Sequence, residues 1–105
     1  MGEGGSINPA SALAATADRK LLLLVADGRQ PLLSVGMTYY EVAKVLREFG
    51  ATDAIAMDGG GSTTLVLADG ANGRVRVVNS PSDGAERPVG NNLAVFAAPL
   101  SAKEK

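Results

Sequence analysis

The chain has 105 residues, ten of them basic and eleven acidic, for a net charge of -1. That length holds one domain, and so balanced a charge offers no broad field to nucleic acid or an anionic membrane, so neither is expected as a partner. Having no Cys excludes disulfide scaffolds, Cys-ligated zinc and thiol catalysis, and having no His excludes a Ser-His-Asp arrangement within the chain.

Acid, base and ligand chemistry therefore falls to carboxylates, Lys, Tyr, hydroxyls and the backbone. No cofactor is expected. A hard divalent cation, Mg²⁺ or Ca²⁺, is the metal that oxygen donors would accept, but no spaced ligand loop of the EF-hand kind accompanies them. The residues are 46% hydrophobic with only 4% aromatic and no Trp, which predicts an aliphatic core of Leu, Val and Ala. The longest strongly apolar run, residues 21–26, is far short of the ~20 residues of a membrane-spanning helix.

In chain order, residues 1–6, MGEGGS, read as a flexible leader or an appended remnant. SALAAT, 11–16, is a candidate strand, joined by the turn ADRK to LLLLVA, 21–26. The second run is short, continuous and closed by Asp27–Gly28, the pattern of a strand buried on both faces. Between Met37 and Gly50 the period changes. Thr38 and Glu41 form a capping-box pair, Tyr39, Val42, Leu46 and Phe49 recur at helical spacing, and Gly50 supplies the stop, so a helix is predicted over 38–49. Tyr39 and Tyr40 are read as packing residues. TDAIAMD and TTLVLA read as strands on either side of the glycines at 59–61, ADGANGRVRVVN as a hairpin, and LAVFAA, 93–98, as a last strand stopped by Pro99. The expected fold is α+β: a mixed or antiparallel sheet of five or six strands carrying one principal helix, in a single domain over 7–99 with a frayed tail at 100–105.

Asp-Gly occurs four times, at Asp27, Asp58, Asp69 and Asp83. Its commonest cause is a turn needing positive φ, and Asp69–Gly70, between two alternating runs, fits that cause. Asp27–Gly28 instead ends an apolar strand and leads into Arg29, Gln30 and Pro31. Asp58–Gly59–Gly60–Gly61–Ser62 carries more glycine than chain reversal needs. Successive glycine amides can form a concave nest for an anion, and glycine lets the ligand approach the backbone. The string lacks the Lys of a Walker A loop and the spacing of a dinucleotide fingerprint. Asp83, Glu86 and Arg87 share one loop between Pro81 and Pro88, bringing two carboxylates and a guanidinium together.

Taken in order, VADGRQ, SVGMT, DGGGST and PSDGAERPV resemble the phosphodiester glycosidase family over residues 8–96. That resemblance implies hydrolysis of a glycosyl–phosphate bond, a sugar phosphodiester or glycan substrate, and a secreted or cell-envelope setting. It marks Asp27, Gly28, Arg29 and Gln30, then Asp58 to Ser62, then Ser82, Asp83, Gly84, Glu86 and Arg87. Within that set, Asp58, Asp83 and Glu86 are the candidates to activate water or attack the anomeric carbon. Asp27, Arg29, Gln30, Gly59, Gly60, Gly61, Ser62, Ser82 and Arg87 are the candidates to bind substrate or phosphate, and no residue is assigned to a metal.

Family members read His-Pro-Arg-Thr-Ala where this chain has Asn8-Pro9-Ala10-Ser11-Ala12, and the chain resembles the C-terminal half of such a domain. The expectation is therefore binding with slow or no turnover. The competing expectations are a non-catalytic glycan- or phosphate-binding module and an isolated folding unit that self-associates through uncovered sheet edges.

Overall fold

The computed structural model describes residues 5–69, 73–90 and 92–98, and the first four residues of the expected leader at 1–6 and all of the expected tail at 100–105 lie outside them. A three-stranded antiparallel sheet has β1 (Ala10–Thr16) at its centre, with β2 (Leu21–Ala26) and β3 (Ala51–Met57) on its two sides. The ADRK turn is organised by Thr16, whose backbone amide and carbonyl bond Lys20 and Arg19 and whose hydroxyl accepts from the Lys20 amide. A hydrogen bond from Thr16 and the nearby Lys20 hold the Asp18 carboxyl below its usual range.

Residues opposite one another on antiparallel strands share a face. Ala12 stands between Leu24 and Ala56, and Ala14 between Leu22 and Ala54, so these positions form one face. The helix α1 (Tyr39–Glu48) packs on it through Val42 and Leu46, which with Ala10, Ala12 and Ala14 make the buried core. Methyl-sized side chains on β1 are what admit Val42 and Leu46 to the sheet. The predicted capping box is present: the Thr38 hydroxyl accepts from the Glu41 amide at 3.1 Å, and the Thr38 amide donates to Glu41 Oε1 at 2.9 Å. Gly50, at φ +93, ends the helix in the conformation glycine tolerates best.

The core matches the aliphatic expectation, but four features differ from the sequence reading. The strands do not form one sheet. Among the described residues β4 (Val66–Asp69) and β5 (Arg74–Val77) pair only with each other, Val66 opposite Val77, as a two-stranded ribbon. The glycine run turns the chain away after β3 in a single 3₁₀ turn, so β4 leaves the line of the first sheet. The turn of the expected hairpin, at 70–72, lies outside the described residues.

Secondly, β2 is not buried on both faces. It is an edge strand whose Leu21 and Leu23 point to the face opposite the helix and are exposed. Thirdly, the helical stripe is narrower than its periodicity suggests, because only Val42 and Leu46 are buried, while Tyr39, Tyr40 and Phe49 are exposed. Lastly, residues 93–98 form no strand, and Phe96 is 95% exposed. An apolar, β-prone run becomes a strand only where an edge accepts its ladder. Among the described residues, no helix is long and apolar enough to cross a membrane.

Candidate functional site

The site is built around the dipeptide Asn8–Pro9, which enters β1. Asn8 pairs with Met37 through two backbone hydrogen bonds, at 3.2 and 2.9 Å, tying the entry of the helix to the start of the sheet. Three glycines pack against this dipeptide. A Cβ on Gly28 would lie 2.6 Å from Pro9 N, one on Gly59 would lie 2.7 Å from Pro9 O, and one on Gly36 would strike the Asn8 carbonyl. The first purpose of these glycines is thus to let the protein's own backbone pass.

The triglycine loop is held on the same dipeptide, since the Gly60 amide donates to Pro9 O at 2.9 Å. Ser62 N and Thr63 N then donate to Gly59 O and Gly60 O, each at 3.1 Å, closing the 3₁₀ turn. An uninterrupted nest of glycine amides therefore does not form. The Gly60 donor is spent internally, and among the described residues the amides of Gly59 and Gly61 have no internal acceptor. Thr63, almost fully buried, anchors the far end of the loop, and its hydroxyl accepts from Ser11 Oγ at 3.4 Å.

Two guanidiniums lie against adjacent glycines of this loop. Arg29 follows β2 at φ +54, a left-handed conformation costly for a side-chain-bearing residue. It is held there by bonds from its amide to Val35 O, at 3.3 Å, and from the Gln30 amide to Ser34 O, at 3.0 Å. Its side chain then reaches Gly60, with Nη2 3.3 Å from where a Cβ would stand, and donates to Asn8 Oδ1 at 3.1 Å. Among the described residues it meets no carboxylate. Arg87 lies against Gly61 so closely that a Cβ there would collide with its guanidinium. Unlike Arg29, it is paired: Asp83 Oδ2 accepts from its Nε at 3.0 Å and stands 2.9 Å from its Nη2, while its Nη1 reaches toward Ser62 Oγ at 3.5 Å.

These groups border a cleft of about 300 Å³ lined by Asn8, Arg29, Tyr39 and Arg87 and by all three glycines. Tyr39, read from sequence as a packing residue, and Ser6, placed in the leader, both reach it. Among the other predicted site residues, Asp83 stands at the rim through Arg87 and Gly61. Asp58 and Glu86 are exposed and outside the lining. The Ser82 hydroxyl is buried without a hydrogen-bond partner among the described residues.

Asp27 and Gln30 are turned away from the cleft toward the loop that carries Asp83. Asp27 Oδ1 accepts from Asn79 Nδ2 at 3.0 Å and from the Ser80 amide at 2.9 Å. Gln30 Nε2 donates to Ser80 O at 2.7 Å, and its Oε1 accepts from Ser80 Oγ at 2.6 Å. Sequence reasoning missed Asn79 and Ser80: Asn79 is only the last residue of the ADGANGRVRVVN hairpin pattern, and Ser80 belongs to no candidate set.

Three separated segments, around Arg29, the triglycine and Arg87, thus meet at one cationic cleft, and a sequence model of phosphodiester glycosidases matches residues 2–96. The chain belongs to the phosphodiester glycosidase family. All four motifs lie within that match, which begins six residues earlier than the resemblance read from the motifs. The chain is also similar to the SPbeta prophage-derived protein YomE of Bacillus subtilis strain 168, itself described as uncharacterized, with 31% identity over 88 residues. Those residues are 84% of this chain but only 13% of YomE.

Proposed function

We propose that the cleft is a sugar-phosphodiester site in which Arg29 and Arg87 hold the phosphate and Asp83 serves hydrolysis of the glycosyl–phosphate bond. The observation that carries this reading is the Arg29 guanidinium, facing the cleft over Gly60 with no carboxylate among the described residues against it. A charge so placed is available to an anion, and two guanidiniums on neighbouring glycines suit the two non-bridging oxygens of a phosphodiester. Family membership supports the reaction class.

Phosphate is a good leaving group, so the demand on the site is stabilisation of departing negative charge more than acid assistance. Arg29 and Arg87 would supply it, with the amides of Gly59 and Gly61 as further donors. As phosphate takes up Arg87, the Asp83 carboxylate is released to accept the proton of the attacking water. The water oxygen bonds the anomeric carbon, and the bond from that carbon to the phosphate oxygen breaks, its electron pair leaving with a phosphate monoester. Asn8 and Ala10 bring no titratable group to the cleft, so binding is expected to outlast turnover. A glycan of the secreted or envelope type is the substrate setting in this proposal.

Asp83→Asn separates binding from chemistry. With Arg87 no longer neutralised, inorganic phosphate should bind up to about fivefold more tightly, the scale of an exposed ion pair. Hydrolysis of a glycosyl phosphodiester should fall by roughly 10²-fold or more, the contribution of a positioned base. Phosphate titration by amide shifts, beside a hydrolysis assay, checks both. Unchanged hydrolysis would remove Asp83 from the chemistry, and weaker phosphate binding would remove it as the competitor for Arg87.

A second reading concerns association. Leu21, Leu23, Ile55 and Met57 are exposed on the sheet face opposite the helix, and β2 and β3 both end the sheet. We propose that two copies pair through this face, as unpaired edges beside an apolar surface favour. Sedimentation should show the mean mass rising with concentration, and Ile55→Glu should shift it back toward the monomer. A mass independent of concentration would refute the pairing.

A further inference from the structure

We infer that Asn79 is the positioning residue of the cleft, setting the triglycine loop and the Arg29 segment relative to each other. Its amide group bonds both. Oδ1 accepts from the Leu65 amide at 2.8 Å, and Nδ2 donates to Thr63 O at 2.9 Å and to Asp27 Oδ1 at 3.0 Å. One acceptor and two donors on a short stem is the inventory of asparagine; aspartate has no donor when ionised, and serine has a single one. The partners also settle which way the amide points, since Leu65 presents a donor and the other two present acceptors.

The two contacts lead directly to the two halves of the anion site. Thr63, whose carbonyl takes one proton, donates its own amide to Gly60 O, and Gly60 is the glycine under Arg29. Asp27, which takes the other, stands two residues before Arg29 and is fixed again by the Ser80 amide. Asn79 touches neither the cleft nor a ligand placed in it. It acts through the loop ends, and losing it would let the two guanidinium-bearing segments move independently while leaving both charges present. The effect on ligand affinity rests on the anion-site reading above, whereas the effect on loop order does not.

The test is Asn79→Asp, which keeps the Leu65 contact, removes both donors and sets a second carboxylate against Asp27. In the ligand-free variant, backbone order parameters of Gly60 and Gly61 should fall from the rigid range near ~0.85 to below ~0.6, with the α1 amides unchanged. Titration with inorganic phosphate should show affinity about tenfold weaker, although Arg29 and Arg87 are intact. The exchange Asp27→Asn with Asn79→Asp restores a donor–acceptor pair and should recover part of both effects. Glycine amides as rigid as in the parent protein would overturn the inference, as would a variant whose loss is spread evenly over every element. If Asn79→Asp does not fold, hydrogen exchange on the parent protein decides. Leu65 and Ser80 amides protected like those of β1 support the pin, and free exchange at both overturns it. A parent protein that leaves the glycine amides unmoved by phosphate would sink the anion-site reading alone.

Discussion

Arg29→Gly is expected to weaken inorganic phosphate binding by about 10- to 100-fold, the loss associated with charge-assisted hydrogen bonds. Stability should be unchanged or raised by up to about 1 kcal/mol. The two effects have separate causes. The backbone of Arg29 sits at φ +54, where a side chain is disfavoured and glycine is not, so the substitution relieves local strain. The side chain, by contrast, contributes the cleft's cation that no carboxylate among the described residues opposes. A strained residue that carries a functional group is the pattern expected when position matters more than stability. Arg87→Ala should weaken binding less, by about fivefold, because Asp83 already takes up much of its charge at 2.9 Å. Amide titration and thermal unfolding of the same samples measure the two quantities. Retained phosphate affinity in Arg29→Gly would overturn the assignment of this arginine, whatever happens to stability.

Gly36→Ala should be the most damaging single methyl among the described loops, lowering stability by roughly 3 kcal/mol or more. Gly36 lies at φ +108, and a Cβ there would overlap the Asn8 carbonyl, with Asn8 C at 2.5 Å. Both partners are main chain, so no flexible side chain can yield. The neighbouring Asn8–Met37 backbone pair would have to open, loosening the dipeptide on which Gly28, Gly59 and the Gly60 amide all rest. In a domain of this size such a loss lowers Tm by about 10 °C or more. Gly73→Ala is the control: its φ is +68, yet nothing among the described residues lies within 4 Å of the added methyl, so it should cost only the backbone strain of about 1 kcal/mol. Equal losses in the two variants would show that conformation alone, and not contact with Asn8, makes Gly36 necessary.

Local order was legible in the amino-acid sequence where its causes are local. The helix over Tyr39–Glu48, its Thr38–Glu41 cap and its Gly50 stop depend on groups within one turn of each other. The β1–β2 hairpin needs only a short turn between two apolar runs. The motifs around Arg29, the triglycine and Arg87 also marked the segments that line the cleft. What each group does with its hydrogen bonds was not legible, because the partners are remote in the chain. Asp27 meets Asn79 across 52 positions, and that contact turns a carboxylate from a candidate ligand into a strut. The Gly60 amide, expected to face an anion, bonds Pro9 O. Burial escaped in the same way: Leu21, Leu23 and residues 93–98 carry the composition of buried strands, but whether they are covered depends on which surface reaches them. Periodicity and turn chemistry thus decided the elements and the segments that carry the site, whereas tertiary packing alone decided which donors, charges and apolar faces remained unspent.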